Sequence, residues 1–225
     1  MSKLQPQPHL DAIREQLLPL MLADAAFDGW TDAGLQQCAQ KLKLDPGAVE
    51  LAVPRGCIDL IRYWANCNDQ AMLDAWAKTK PRLKKIREKA VFLVRSRIVA
   101  VGENNREAAR RALARLALPG TSGEALAMAW ASADAMWRAM NDTSTDYNYY
   151  TKRLILSGVF ISTFQVWLQG DDDKAWAFLD HRISNVMQFE GFKAKMRNRA
   201  ETWPDPTKFL ARLRYGTGRT RPRRM

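Results

Sequence analysis

The side chains that most often carry chemistry are scarce in this chain of 225 residues. His9 and His181 are its two histidines. A di-iron helix needs Glu three residues before His, and Phe178 stands at that position relative to His181. The cysteines, Cys38, Cys57 and Cys67, are odd in number and form no C-x-x-C pair. Neither a disulfide framework nor a zinc knuckle is therefore expected, and buried free thiols are the plain reading. A Ser-His-Asp arrangement would have to recruit one of the two histidines, with no G-x-S-x-G elbow to support it. No Walker loop or G-x-G-x-x-G opens a helix. The expectation is a protein that is not an enzyme, with no catalytic residue, no metal ligand set and no cofactor.

Charge is the second signal. The net charge is +11, unevenly distributed. Residues 193–225 carry +9 and residues 78–97 carry +8, which leaves the remaining chain at −6. A mildly acidic body with two basic stripes is drawn to polyanions, whether nucleic acid, an anionic membrane or an acidic partner. A solvated helix face and a disordered tail are the bland alternative.

The elements that must position these groups read as helices nearly throughout. A first helix spans about residues 10–25, with Pro19 expected to kink or restart it. Thr31 and Asp32 open a second helix, and Asp45-Pro46 is an N-cap with proline at the first helical position of a short third. A longer helix from about Gly56 buries Ile58, Ile61, Tyr63, Trp64, Leu73 and Trp76. Pro81 is expected to start the basic helix, with Ile86, Ala90, Leu93, Val94, Ile98 and Val101 on its inner face. Residues 105–118 form another amphipathic helix. In the next, Leu126, Trp130, Ala133, Trp137 and Met140 share the helical period. From Leu154 to Leu168 the pattern is apolar all round, which predicts burial centrally or in an oligomer interface. Asp171, Asp172 and Asp173 then favour the start of a final long helix. No strand pattern appears, and the fold class is all-α.

Three short helices within 10–51, followed by a long fourth, resemble the helix-turn-helix end of TetR-type regulators. In such proteins the third helix reads the major groove. Here it would be Pro46 to Ala52, which offers no Lys, Arg, Asn or Gln and carries the acid Glu50. With no donors for phosphates or base edges, nucleic acid is not an expected partner. A ligand-responsive regulator of that type is the alternative function.

The most distinctive string runs from Asn141 through Asp142, Ser144, Asp146, Tyr147, Asn148 and Tyr150 to Arg153. It resembles the G-D-x-S-x-D-[FY]-N-x-Y-[ST]-x-R motif of the ubiquinone (coenzyme Q) biosynthesis accessory family. Ala133-Asp134 with Met136-Trp137 upstream, Gly29-Trp30-Thr31, Pro54-Arg55-Gly56 and Phe178 to Ile183 agree with that family too. The likeness covers roughly residues 10–190. One departure is Asn141, where the family usually has Gly, a residue suited to positive φ.

The resemblance implies a TetR-like fold without DNA binding and a deep apolar pocket holding an isoprenoid or a phospholipid. It also implies partnership with the di-iron demethoxyubiquinone hydroxylase, to which the quinone intermediate would be presented. Domains of this kind keep ligands between middle and late helices, which makes Phe92, Met128, Met136, Trp137, Val159, Phe160 and Phe164 the candidate lipid-binding residues. Plain core packing is the competing reading of each. Asp146, Asn148, Tyr149, Tyr150 and Arg153 are the candidate partner-binding group, since Tyr and Arg combine buried area with hydrogen bonding. Alternatively the string is a helix cap, with Ser144 as N-cap and the tyrosines buried.

Three regions follow: a helix-turn-helix-like unit at 1–55, a lipid-binding helical bundle at 56–203 and a basic amphipathic tail at 204–225. In the tail, Phe209, Leu210 and Leu213 group on one side with Lys208, Arg212 and Arg214 beside them, a pattern that suits an anionic membrane surface. Residues 1–9 show no secretory signal or transit pattern. The expected location is cytoplasmic, peripheral on the inner membrane face, with a homodimer built on the late helices.

Overall fold

The computed structural model of the chain describes residues 8–79, 83–145 and 147–201. Among these the fold is all-α, of TetR-like organisation, with nine α-helices and no strand. The helices are α1 (Pro8–Asp28), α2 (Asp32–Lys41), α3 (Pro46–Ala52), α4 (Cys57–Thr79), α5 (Ile86–Val99), α6 (Arg106–Leu116), α7 (Ser122–Ala139), α8 (Tyr147–Trp167) and α9 (Asp172–Glu201). By its contacts the described chain divides between Ser184 and Asn185. The expected membrane residues Lys208, Phe209, Leu210, Arg212, Leu213 and Arg214, the tail 204–225 and Pro81 lie outside the described residues.

Local chemistry accounts for the N-terminal unit. The Thr31 side chain accepts from the Gly34 amide at 3.0 Å and caps α2. Asp45 accepts from the Ala48 amide at 2.8 Å and caps α3, with Pro46 at its first position. Pro19 neither stops nor restarts α1, which runs through it as one helix. The proline lies on the exposed side of α1, so its ring displaces no packed neighbour.

Two of the short motifs tie this unit to the bundle. Trp30 is buried, stacks on Trp64 of α4 at 5.9 Å and donates its indole N–H to the Ala108 carbonyl of α6 at 2.9 Å. Burying a side chain of this size is worth roughly 2 to 3 kcal/mol, and its one polar atom is paired. Asp32, one turn away, accepts from the Cys57 amide at 2.9 Å and so caps α4 from α2. That approach requires Gly56, which sits at φ +61, because a Cβ there would lie 2.0 Å from the Asp32 carboxylate. Arg55 then bonds Asp59 at 2.6 Å and Glu124 of α7 at 2.7 Å, and Arg62 joins the same Glu124. Burial alone would raise the Glu124 carboxyl, but the two arginines outweigh it and hold the group below its ordinary value.

Several boundaries and faces differ from the periodicity reading. Helix α5 begins at Ile86, after the non-helical residues 83–85. Ile86 is exposed in its first turn, while Ala90, Leu93, Val94, Ile98 and Val101 are buried as expected. Arg97 lies inside rather than outside, paired with Asp69 of α4. In α7 the buried residues are Ala129, Ser132, Ala133 and Met136, whereas Leu126 is 54% exposed. Of the expected stripe, Ala133 is buried and Trp130, Trp137 and Met140 are half-buried, so the inner face is shifted toward the small residues. Helix α8, read as apolar all round, leaves Tyr150, Leu154, Gly158 and Gln165 exposed. Cys38 and Cys57 are buried, and burial pushes both thiols up to about 11. Neither is a thiolate near neutral pH. Cys67 is half-buried.

Candidate functional site: an ion-pair clasp and an apolar cavity on one helical hairpin

Helices α7 and α8 pack on each other, and the signature string lies at their junction. Helix α7 closes with Asn141 at φ +62. The Asn141 amide reaches the Arg138 carbonyl at 2.9 Å and the Asp142 amide reaches Trp137 at 3.0 Å, the two bonds of a Schellman closure. Position 141 of this chain is therefore left-handed, and asparagine tolerates that better than other side-chain-bearing residues.

This turn aims Asp142 back at α8. The Arg153 guanidinium, 2% exposed, bonds Asp134 at 2.6 Å and Asp142 at 3.3 Å, and donates to the Tyr149 carbonyl at 3.1 Å. Its cation sits 3.4 Å from the Tyr149 ring centroid, and the Tyr149 hydroxyl bonds Asp134 at 3.2 Å. Lys152 bonds Asp142 and the Ser144 hydroxyl, each at 2.7 Å, and lies over the Trp137 ring. The Trp137 indole donates to the Lys152 carbonyl at 3.0 Å. Burial would raise both carboxyls. For Asp142 the hydrogen bonds from Lys152, Ser144 and Arg153 outweigh it and lower the pKa. For Asp134 the Arg153 and Arg138 cations with the Tyr149 hydroxyl do the same. The string is thus a clasp of compensated charges that holds the hairpin closed.

Its members face different ways. Arg153 is internal and Tyr149 half-buried, whereas Asn148 and Tyr150 are exposed. Tyr150 lies edge-on to Tyr149 at 5.1 Å and 6.3 Å from the half-buried ring of Trp130. Leu126 and Leu154, one helical turn from Trp130 and Tyr150 respectively, are exposed as well. Asp146 lies outside the described residues.

At the other end of the hairpin is a cavity of about 580 Å³. Its α4 wall is Ile61, Trp64, Ala65 and Asn68, one face at helical spacing. Helix α6 contributes Ala109, Ala112, Leu113 and Leu116, and α7 contributes Ala125, Met128 and Ala129. Helix α8 adds Phe160, Ile161 and Phe164. The mouth is marked by lining residues that are themselves exposed, among them Leu126 and Gln165. Of the expected lipid residues, Met128, Phe160 and Phe164 line this space. Met136 is fully buried but stands eight residues beyond Met128, about 12 Å along α7, where the clasp has replaced the cavity. Trp137 belongs to the clasp, Phe92 packs near Trp76 at 6.0 Å, and Val159 is buried without lining the cavity.

The sequence reading missed the alanines. Ala109, Ala112, Ala125 and Ala129 create the volume by leaving space, and a search for large apolar side chains passes over them. The signal was there in the Ala-rich stretches of 108–117 and 125–135. Among the described residues there is no cluster of three or more His, Cys, Asp or Glu fit to hold a metal, and no helix long and apolar enough to cross a membrane.

A family model described as COQ9 matches residues 122–190, which contain both the clasp and the α7 and α8 walls of the cavity. The mitochondrial ubiquinone biosynthesis protein COQ9 of Rattus norvegicus is 27% identical over 197 residues, covering 82% of this chain and 62% of its own length. The Homo sapiens protein of the same name is 25% identical, with 82% and 60% covered. The Drosophila melanogaster one is 27% identical over 191 residues, with 82% and 58% covered. The matched region thus spans about three fifths of these relatives. The string from Asn141 to Arg153, built into one clasp, lies within the segment that resembles the COQ9 family model, and most of the chain is similar to ubiquinone biosynthesis proteins of that name.

Proposed function

We propose that this protein is a lipid-binding accessory of ubiquinone biosynthesis, which takes an isoprenoid quinone intermediate into its α4–α6–α7–α8 cavity and presents it to the demethoxyubiquinone hydroxylase at a membrane surface. The observation that carries this reading is the apolar cavity, whose mouth residue Leu126 lies one helical turn from Trp130, the half-buried ring beside exposed Tyr150. A cavity of about 580 Å³ is in the range that takes a compact ligand. The protein binds and delivers; the chemistry belongs to the hydroxylase. The basic tail supplies reversible adsorption to anionic lipid, and a second copy of the chain covers the open face of α8.

Reconstitution tests the reading. The purified hydroxylase, given its quinone in anionic liposomes, should turn over faster when this protein is added. Tyr150→Ala should weaken the complex by about 1 to 3 kcal/mol while leaving Tm nearly unchanged, since Tyr150 is exposed and outside the ion-pair clasp. Unchanged turnover with and without the protein would refute presentation. Removal of residues 204–225 should abolish flotation with anionic vesicles, and equal flotation of the shortened chain would refute the tail's role.

A further inference from the structure

Away from its mouth, the cavity has two polar lining residues, Asn68 and Arg97. Asn68, on α4, is 6% exposed and lines the cavity. Among the described residues its side-chain amide makes no hydrogen bond. It is also absent from the buried polar atoms that the protein seals off without a partner, which are the Nε atoms of Arg62 and Arg106. The Asn68 amide therefore opens on the cavity rather than on packed protein. Its neighbours in the same wall are engaged elsewhere. Arg97 bonds Asp69 and the Ala65 carbonyl at 3.2 Å and lies 5.4 Å from the Phe160 ring, while Ser132 donates to Asp69 at 2.7 Å. That polar layer is satisfied, and Asn68 is the group beside it left over.

An amide kept in an apolar cavity without a partner destabilises the protein, and a ligand oxygen that pairs with it removes the penalty. Asn offers two N–H donors and one acceptor, so it can serve a carbonyl or a hydroxyl. We infer that Asn68 is the polar anchor of the cavity, pairing with a carbonyl or hydroxyl oxygen on the inner end of an amphiphilic ligand. The apolar remainder then runs along the Ala112 and Ala129 walls toward Leu126 and Gln165 at the mouth. Such a ligand sits head inward and tail outward, which leaves a long tail free to continue beyond the opening. This inference rests on the lipid-binding reading and adds to it the chemical class and direction of the ligand.

Isothermal titration of the full-length protein tests it with three probes: a benzoquinone bearing one isoprenyl group, a ten-carbon isoprenoid alcohol, and the matching hydrocarbon without oxygen. Asn68→Leu should weaken the quinone, the alcohol or both by about three- to tenfold, the loss of one hydrogen bond. It should leave the hydrocarbon unchanged or tighter. Which oxygen probe suffers more tells whether a carbonyl or a hydroxyl is the natural mate. Asn68→Ala should give the same pattern and serves if the leucine variant does not fold. Equal affinities of wild type and both variants for the two oxygen probes, with the hydrocarbon still bound, would overturn the anchor and leave the lipid cavity standing. Failure of all three probes to bind wild type would overturn the cavity reading and the anchor with it.

Discussion

The two ends of the α7–α8 hairpin are built on opposite principles. At the closed end, Asp134, Asp142, Lys152 and Arg153 are drawn into a partly buried cluster in which each charge meets an opposite one. At the open end, Ala125 and Ala129 line one cavity with Phe160 and Phe164, and the wall is mostly apolar. The clasp takes charges out of water and recovers the cost through paired geometry. The cavity leaves apolar volume unfilled and forgoes the packing that larger side chains would supply. A hairpin locked at one end can hold its other end apart, and in this account the clasp is the fixed point from which the cavity is held open.

The largest expected effect comes from breaking the lock. Arg153→Ala leaves Asp134 and Asp142 short of their shared cation, and removing one partner of a buried pair typically costs about 3 to 5 kcal/mol. Denaturant unfolding measures it. A loss below about 1 kcal/mol would mean that the clasp is a surface ornament, and the contrast between the two ends would fall.

Acid should loosen the same end selectively. The folded pKa values of Asp134 and Asp142 lie below the ordinary carboxylate value. The stability they add is complete above the unfolded carboxyl pKa of about 3.9 and is lost as pH falls through the folded values. Urea midpoints followed downward from pH 6 should therefore drop more steeply in wild type than in Asp142→Asn. Parallel curves would show that these carboxylates are not what acid attacks.

A smaller effect is expected at the turn. Asn141→Val forces a β-branched residue to φ +62 and should cost about 1 to 2 kcal/mol, whereas Asn141→Gly should be near neutral. Equal stability of the two variants would remove the left-handed turn from the clasp.

How much of this was legible in the residues varies by region. Caps at Thr31 and Asp45 follow from short-range hydrogen bonding and were readable, as was the start of α4 near Gly56, although the Asp32 contact that fixes it is long-range. The string 141–153 stood out, but its inward and outward members could not be separated by spacing alone. Arg153 and Tyr150 are three residues apart on one helix, and only the position of Asp134 and Asp142 decides which is buried. The cavity was least legible, because empty volume is produced by small residues on three separate helices. Phe160 and Phe164 were found by size, whereas Ala112 and Asn68 carry no mark until α4, α6 and α7 are brought together.

The central claim, that the open end holds lipid, is tested most directly by native mass spectrometry with organic extraction of gently purified protein. Wild type should carry an isoprenoid or phospholipid. Ala129→Leu, which fills the cavity and leaves the clasp untouched, should carry far less at a Tm within a few degrees of wild type. A clean unliganded mass for wild type, or equal lipid in both proteins, would contradict the account.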